Sequence, residues 1–200
     1  VLDVLLGSGS PVPVHTVSGH RLPGWVGVHD LVVAVAATSG QEGEPTVRMA
    51  VEAVRRGSRF AAVGPRGGPL AQIAEQARAP HVALPTPGEP RTLVWSLAVP
   101  LLVAVEQFDV RVVTEADFEA TATLLEEIAH RCRPAADTYA NPAKELALAL
   151  ADALPVVWGA TPVAALAARW AAAQFTANAR CPALAAGSPE AARAQAASLT

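Results

Sequence analysis

The sequence predicts an α/β protein built on an open parallel sheet with helices on both faces. Three observations carry this reading. Short apolar runs rich in β-branched residues recur at "LVVAVAA" (31–37), "FAAVG" (60–64) and "HVALP" (81–85). Amphipathic helical stretches separate them, and a strand-turn-helix texture restarts at "LPVVWGA" (154–160). Apolar runs without polar alternation suit strands buried on both faces, and their alternation with helices is the mark of right-handed crossovers in one parallel sheet.

Taken in order, "PVPVHTV" (11–17) reads as a first strand and 31–37 as the second. In "PTVRMAVEAVRRG" (45–57) Val47, Ala50, Val51 and Val54 fall at helical spacing, with Arg48, Glu52, Arg55 and Arg56 elsewhere and Gly57 as the stop. "PLAQIAEQAR" (69–78) repeats the pattern through Leu70, Ile73, Ala74 and Ala77. After the Pro-rich turn "LPTPGEPR" come helices over 91–107 and 115–132, the second striped by Phe118, Thr121, Leu125 and Ile128. In 141–153 Asn141 is an N-cap with Pro142 at the first helical position. A strand over 154–160 leads to a long Ala-rich helix over 161–180, capped by Thr161 with Pro162 behind it. The tail, 183–200, is Ala-rich and weakly patterned, open between helix, arm and disorder. Two α/β units result, with 1–108 as the first domain, 109–153 a helical connection, and 154–200 the start of a second, incomplete one.

Composition excludes several classes. With 52% hydrophobic and 16% charged residues the chain is globular, and a net charge of −3 without clustered Lys and Arg argues against nucleic acid. The longest apolar stretch, 93–105, is too short for a membrane span and carries Pro100, which predicts a buried helix. Cys132 and Cys181 match no metal or redox spacing, so two reduced thiols in a cytoplasmic protein without metal or cofactor are expected. The chain opens on an apolar, helix-like turn without an initiator Met, so natural residues before Val1 are expected to be missing.

In an open parallel sheet, ligands bind beyond the carboxyl ends of the strands, where unpaired helix amides carry partial positive charge. The connection "TSGQEGEPT" (38–46) falls at such an end. It offers hydroxyls at Thr38 and Ser39, a flexible Gly40, and free helix amides near Thr46 to Met49, which suit a phosphate monoester. An ordinary cap and turn has the same composition, and Glu42 and Glu44 would repel an anion unless they point away. Arg91, at a helix start where the dipole disfavours a cation, invites either an anionic ligand or a carboxylate partner such as Glu89. Of the five His, His15, His20 and His29 lie around the first strands, His81 reads as a satisfied structural residue, and His130 suits a helix C-terminus.

Several motifs in one order carry a family resemblance: "VPVHTVSGHRLPGWVGVHDLVVAVAATSG", the Gly-rich turn in "VGPRGGPLAQIAEQA", the "PTPGEPR" turn and its following helix, then "NPAKELA", "LPVVWG" and "ARWAAAQFTANARCPA". Together they resemble the phosphoglucose/phosphomannose isomerase branch of the sugar isomerase (SIS) superfamily, over nearly the whole chain. TobH-like actinobacterial proteins, SIS-like and rich in Ala and Arg, are also similar. The resemblance implies a flavodoxin-like three-layer sandwich, a homodimer, and a hexose phosphate ligand. It implies Thr38, Ser39, Gly40 and Thr46 as the phosphate loop and Arg91 as stabiliser of an enediolate. The loop is longer than the family's, and Ala36 stands where a Ser is common.

Aldose-ketose isomerisation moves a proton between adjacent carbons and needs a carboxylate base, usually with a His to open the ring. The family carries the base in a Gln-x-x-Glu-Asn-Ala-Lys helix, here Gln174 to Arg180 with Ala177 in place of Glu. Its later Pro-Glu-Leu-Asn-His-Asn-Glu run is matched by Pro189 to Gln195, with Arg193 in place of His and Glu190 the remaining carboxylate. Three expectations follow: a sugar-phosphate-binding protein without catalysis, which the sequence favours; an active isomerase using Glu190 or a residue outside the chain; or a structural homodimer without ligand.

Overall fold

In the computed structural model, residues 2–7, 10–38, 40, 44–84, 92–105 and 113–189 are described. A short helix α1 (Leu2–Leu6) precedes two compact units, one carrying residues 10–105 and the other 113–189.

The first unit holds a parallel sheet of β1 (Leu31–Val35), β2 (Arg59–Gly64) and β3 (His81–Ala83), in that order. Leu31 pairs with Arg59 and Val35 with Val63, while Ala62 to Gly64 pair with His81 to Ala83. The crossovers are α2 (Glu44–Arg55) and α3 (Pro69–Gln76). Ala34, Ala36, Phe60 and Ala62 form one core with Ala50 and Ala53 of α2 and Leu70 and Ala74 of α3. The alternate strand residues Val33, Val35 and Val63 turn the other way, onto Leu93, Leu97 and Leu101. Leu97 and Leu101 belong to α4 (Val94–Val105), so helices cover both faces, as the doubly apolar strands require. Pro100 sits inside α4, where its missing N–H removes one helical hydrogen bond, yet Ala98 and Leu102 are still buried. Among the described residues no helix is long and apolar enough to cross a membrane.

Two expectations fail in this unit. Residues 11–17 form no strand and are almost wholly exposed. Pro11 and Pro13 lack the N–H groups a ladder needs, so an apolar, β-branched run was not enough. His81 is not satisfied: its Nε2 is buried without a hydrogen-bond partner among the described residues.

The segment leading into β1 is tied to α2 by charge. Glu52 accepts from Arg55 Nε at 2.7 Å and from Arg56 Nε at 2.7 Å. Arg56 also donates to the carbonyls of Pro23 (2.7 Å) and Val26 (3.3 Å), thirty or more residues away in the chain. Hydrogen bonds from Arg55 and then Arg56 lower the Glu52 carboxyl from 4.5 to about 2. A carboxylate with a depressed folded-state value adds stability that is complete above its unfolded value and lost as pH falls towards the folded one. Urea midpoints are therefore expected to fall between pH 4.5 and about 2, and Glu52→Gln to flatten that part of the profile. An unchanged slope in the variant would show that other carboxylates carry the acid sensitivity.

In the second unit β4 (Val156–Gly159) and β5 (Leu184–Gly187) pair in parallel across α7 (Pro162–Ala179). Thr161 caps α7, its hydroxyl accepting from Ala164 N–H, and Pro162 starts it, as expected. Residues 184–187, left open by the sequence, are thus a strand. Before β4 come α5 (Glu115–Arg131), with a Thr114–Asp117 capping box, and α6 (Pro142–Ala149). Asn141, 2% exposed, caps α6 by accepting from the amides of Ala143 and Lys144 and donates to the Arg133 carbonyl. Neither α5 nor α6 buries a residue, and Leu124, Leu125, Ile128, Leu146 and Leu148 stay exposed.

Candidate functional site

Because the three strands of the first sheet run parallel, their carboxyl ends share one edge, and the connections into α2 and α3 leave from it. Pairing of β1 continues one residue past the strand, where Ala36 N–H donates to the Val63 carbonyl at 3.0 Å. Thr38 follows, partly buried, and Gly40 is exposed with nothing within 4 Å of the position a Cβ would take. Thr46 lies in the first turn of α2 and is partly buried. Ser39, Gln41, Glu42, Arg91 and Glu190 lie outside the described residues.

Helix α2 starts at Glu44, earlier than the expected amides required. Val47 to Met49 are inside the helix, where amides bond to carbonyls four residues back, so they are not free donors. The unpaired first-turn donors reduce to Glu44 and Thr46, since Pro45 has none. The acidic start is also less repulsive than it looks. Arg48 donates to Glu44 from both Nε and an Nη group, and this bond with the guanidinium charge lowers the Glu44 carboxyl below its ordinary value. The pair offsets one negative charge beside the turn.

The turn after the central strand β2 adds groups that motif reading passed over. Gly64 ends β2, and a Cβ there would lie 3.2 Å from the Ala36 carbonyl oxygen, so the two connections approach closely. Gly67 takes a φ of 69°, which Gly accepts without a Cβ penalty. Gly68 then caps α3 without a side-chain bond, and Pro69 follows, so this second helix start also faces the carboxyl edge with unpaired amides. Arg66, exposed and without a partner among the described residues, stands on the same turn. The signal in the sequence was "GPRGGP", a Gly-rich turn at the end of a buried strand.

The second unit has its own carboxyl edge, where Ser188 N–H donates to the Gly159 carbonyl at 2.9 Å. Pro189 is the last described residue there. Ala177 sits in the last turn of α7, about 22 Å along the helix from its start at 1.5 Å per residue. The chain then returns past the beginning of β4, with the Cys181 thiol facing the Ala153 carbonyl at 4.0 Å. Ala177 and Pro189 therefore occupy opposite ends of this unit. Cys132 and Cys181 are both free thiols. Among the described residues no cluster of His, Cys, Asp or Glu could hold a metal ion.

Residues 139–200 match the family model described as the bacterial phospho-glucose isomerase C-terminal SIS domain. The chain is also similar to a bifunctional phosphoglucose/phosphomannose isomerase of Caldicellulosiruptor bescii, with 27% identity over 184 residues. That alignment takes in 92% of this chain but only 53% of the relative, so the chain spans about half of that protein's length. No solved structure matches.

Proposed function

From the premise that the chain belongs to the SIS superfamily, in its phosphoglucose/phosphomannose isomerase branch, we propose that it binds a hexose phosphate or a related sugar derivative without isomerising it. The phosphate sits at the carboxyl edge of the first sheet, against Thr38, Ser39, Gly40 and Thr46, with Arg91 as an anion partner. Domain 1–108 supplies this cradle, 109–153 connects, and 154 onwards begins the second SIS domain. The protein acts in the cytoplasm as a homodimer and takes no cofactor.

One observation carries the binding reading: the β1–α2 connection starts at a strand's carboxyl end with a partly buried hydroxyl at Thr38 and arrives at a helix whose first amides are unpaired. A phosphate monoester would accept from the Thr38 and Thr46 hydroxyls and the Glu44 and Thr46 amides, and the α2 dipole would favour its charge. Arg48 supports this by holding Glu44.

The absence of catalysis rests on Ala177, where the resemblance calls for a Glu, and Arg193, where it calls for a His. An alanine methyl takes up no proton, and a guanidinium stays charged far above neutral pH. The similarity to a bifunctional isomerase along 92% of the chain favours a second reading, active aldose-ketose isomerisation with a relocated base such as Glu190. A base carried beyond Pro189 starts from the opposite end of the second unit from Ala177, which weighs against simple replacement.

A coupled assay with fructose 6-phosphate and mannose 6-phosphate separates the two. The expected result is no turnover, together with thermal stabilisation by the same sugars. Turnover that Arg91→Ala abolishes would overturn the non-catalytic reading in favour of the second. A flat melting curve in millimolar sugar phosphate would leave only a ligand-free structural role.

A further inference from the structure

A groove with a cationic lining flanks α2. An open cavity of about 230 Å³ separates the segment before β1 from α2, with His20, Arg21 and Leu22 on one wall and Arg48, Met49, Glu52 and Arg56 on the other. Arg48 and Glu52 on α2 and Arg56 just past its end follow one another at four-residue spacing, a stripe distinct from the face that buries Ala50 and Ala53.

The wall is cationic in an anionic chain. Its lining carries three guanidiniums, of Arg21, Arg48 and Arg56, against the single carboxylate of Glu52, while the whole protein carries −3. Each guanidinium has five N–H donors, and these are not used up. Arg21 makes no hydrogen bond or ion pair among the described residues. Arg48 gives Nε and one Nη group to a single Glu44 oxygen, leaving its other Nη. Arg56 gives Nε to Glu52 and one Nη to the Pro23 and Val26 carbonyls, leaving its second Nη.

Arg56 is also held in place before any ligand arrives. Its side chain is 27% exposed and fixed by three acceptors, so little rotamer freedom remains to be lost on binding. Leu22 and Met49 give the cavity an apolar side, which strengthens charge interactions beside it. Forks on both walls suit a tetrahedral dianion better than a planar carboxylate, which one fork satisfies.

We propose that this groove binds a small phosphate monoester or inorganic phosphate between Arg21 on one wall and Arg48 and Arg56 on the other. The site shares only Arg48 with the sugar-phosphate reading, where that residue holds Glu44, and otherwise uses none of the β1–α2 turn.

The test is a titration of the full chain with inorganic phosphate and with glycerol 3-phosphate at constant ionic strength, followed by amide chemical shifts. Residues 20–22 and 48–56 are expected to move together and saturate. Arg21→Ala, which breaks no interaction among the described residues, is expected to weaken that saturation at least tenfold, and Thr38→Ala to leave it unaltered. Shifts that only drift as they do with chloride, saturation indifferent to Arg21→Ala, or saturable shifts that Thr38→Ala abolishes, would each overturn the proposal. The last outcome would assign all phosphate binding to the carboxyl edge. Loss of shifts at 38–46 alone would count against the sugar-phosphate cradle and leave the groove standing.

Discussion

Gly159→Val is expected to destabilise the second unit by about 3 kcal/mol or more, because the clash is with backbone that has nowhere to go. A Cβ at Gly159 would lie 2.1 Å from Ala165 N, 2.2 Å from Ala164 C and 2.4 Å from Ala164 O. These atoms belong to the first turn of α7, which Thr161 caps and whose Ala165 and Ala168 are buried. To admit even one methyl group, the helix must retreat from β4. Gly187, across the pair from Gly159, offers no relief, since a Cβ there would meet Ala165 Cβ at 2.9 Å. Unfolding followed through Trp158 and Trp170, both in this unit, reports the loss. Gly40→Ala is the matched control: nothing stands within 4 Å of its added methyl, and its effect should stay within about 0.5 kcal/mol. If Gly159→Ala melts like the parent chain, the close packing of α7 on β4 is wrong.

Thr38→Ala is expected to weaken hexose phosphate binding about 10- to 100-fold. A hydrogen bond to a charged group contributes about 1.5–3 kcal/mol, and 1.4 kcal/mol is tenfold in affinity. Thr38 is partly buried just beyond β1 and makes no side-chain hydrogen bond among the described residues, so the unliganded chain should keep its melting temperature. Wild-type protein at a hundredfold excess of ligand over Kd gains about 2.7 kcal/mol. The variant at the same concentration should lose most of that shift. If the parent protein binds and the variant matches it, the phosphate does not sit at the β1–α2 turn.

Much of the fold was legible because its signals are local. The spacing of Val47, Ala50 and Val54 announced α2, and Asn141-Pro142 and Thr161-Pro162 announced two helix starts that the structure caps as expected. Propensity failed where pairing decides. "PVPVHTV" has strand-like residues but two prolines, and stays outside the sheet. "LAAG" has weak strand propensity, yet becomes β5 because β4 provides parallel backbone partners from Val156 to Gly159.

The candidate site was legible in outline for the same reason. A polar turn after a buried strand places Thr38 at a carboxyl end whatever the details. The turn carrying Arg66 was visible only as a Gly-rich motif, since its value depends on β2 lying beside β1. Glu44 looked like an obstacle until its partner at helical spacing, Arg48, was seen to hold it.

By itself, then, the sequence determined the order of β1 to β4 and of the helices between them, both apolar faces of the first sheet, and the end of β1 where a ligand would approach. These follow from periodicity and caps within a few residues. Only the tertiary structure decided that Arg56 reaches the Pro23 and Val26 carbonyls, that Gly159 lies against the first turn of α7, and that Arg21 and Arg48 line one groove. Such meetings join residues far apart in the chain. Packing and charge select them only once the elements have docked.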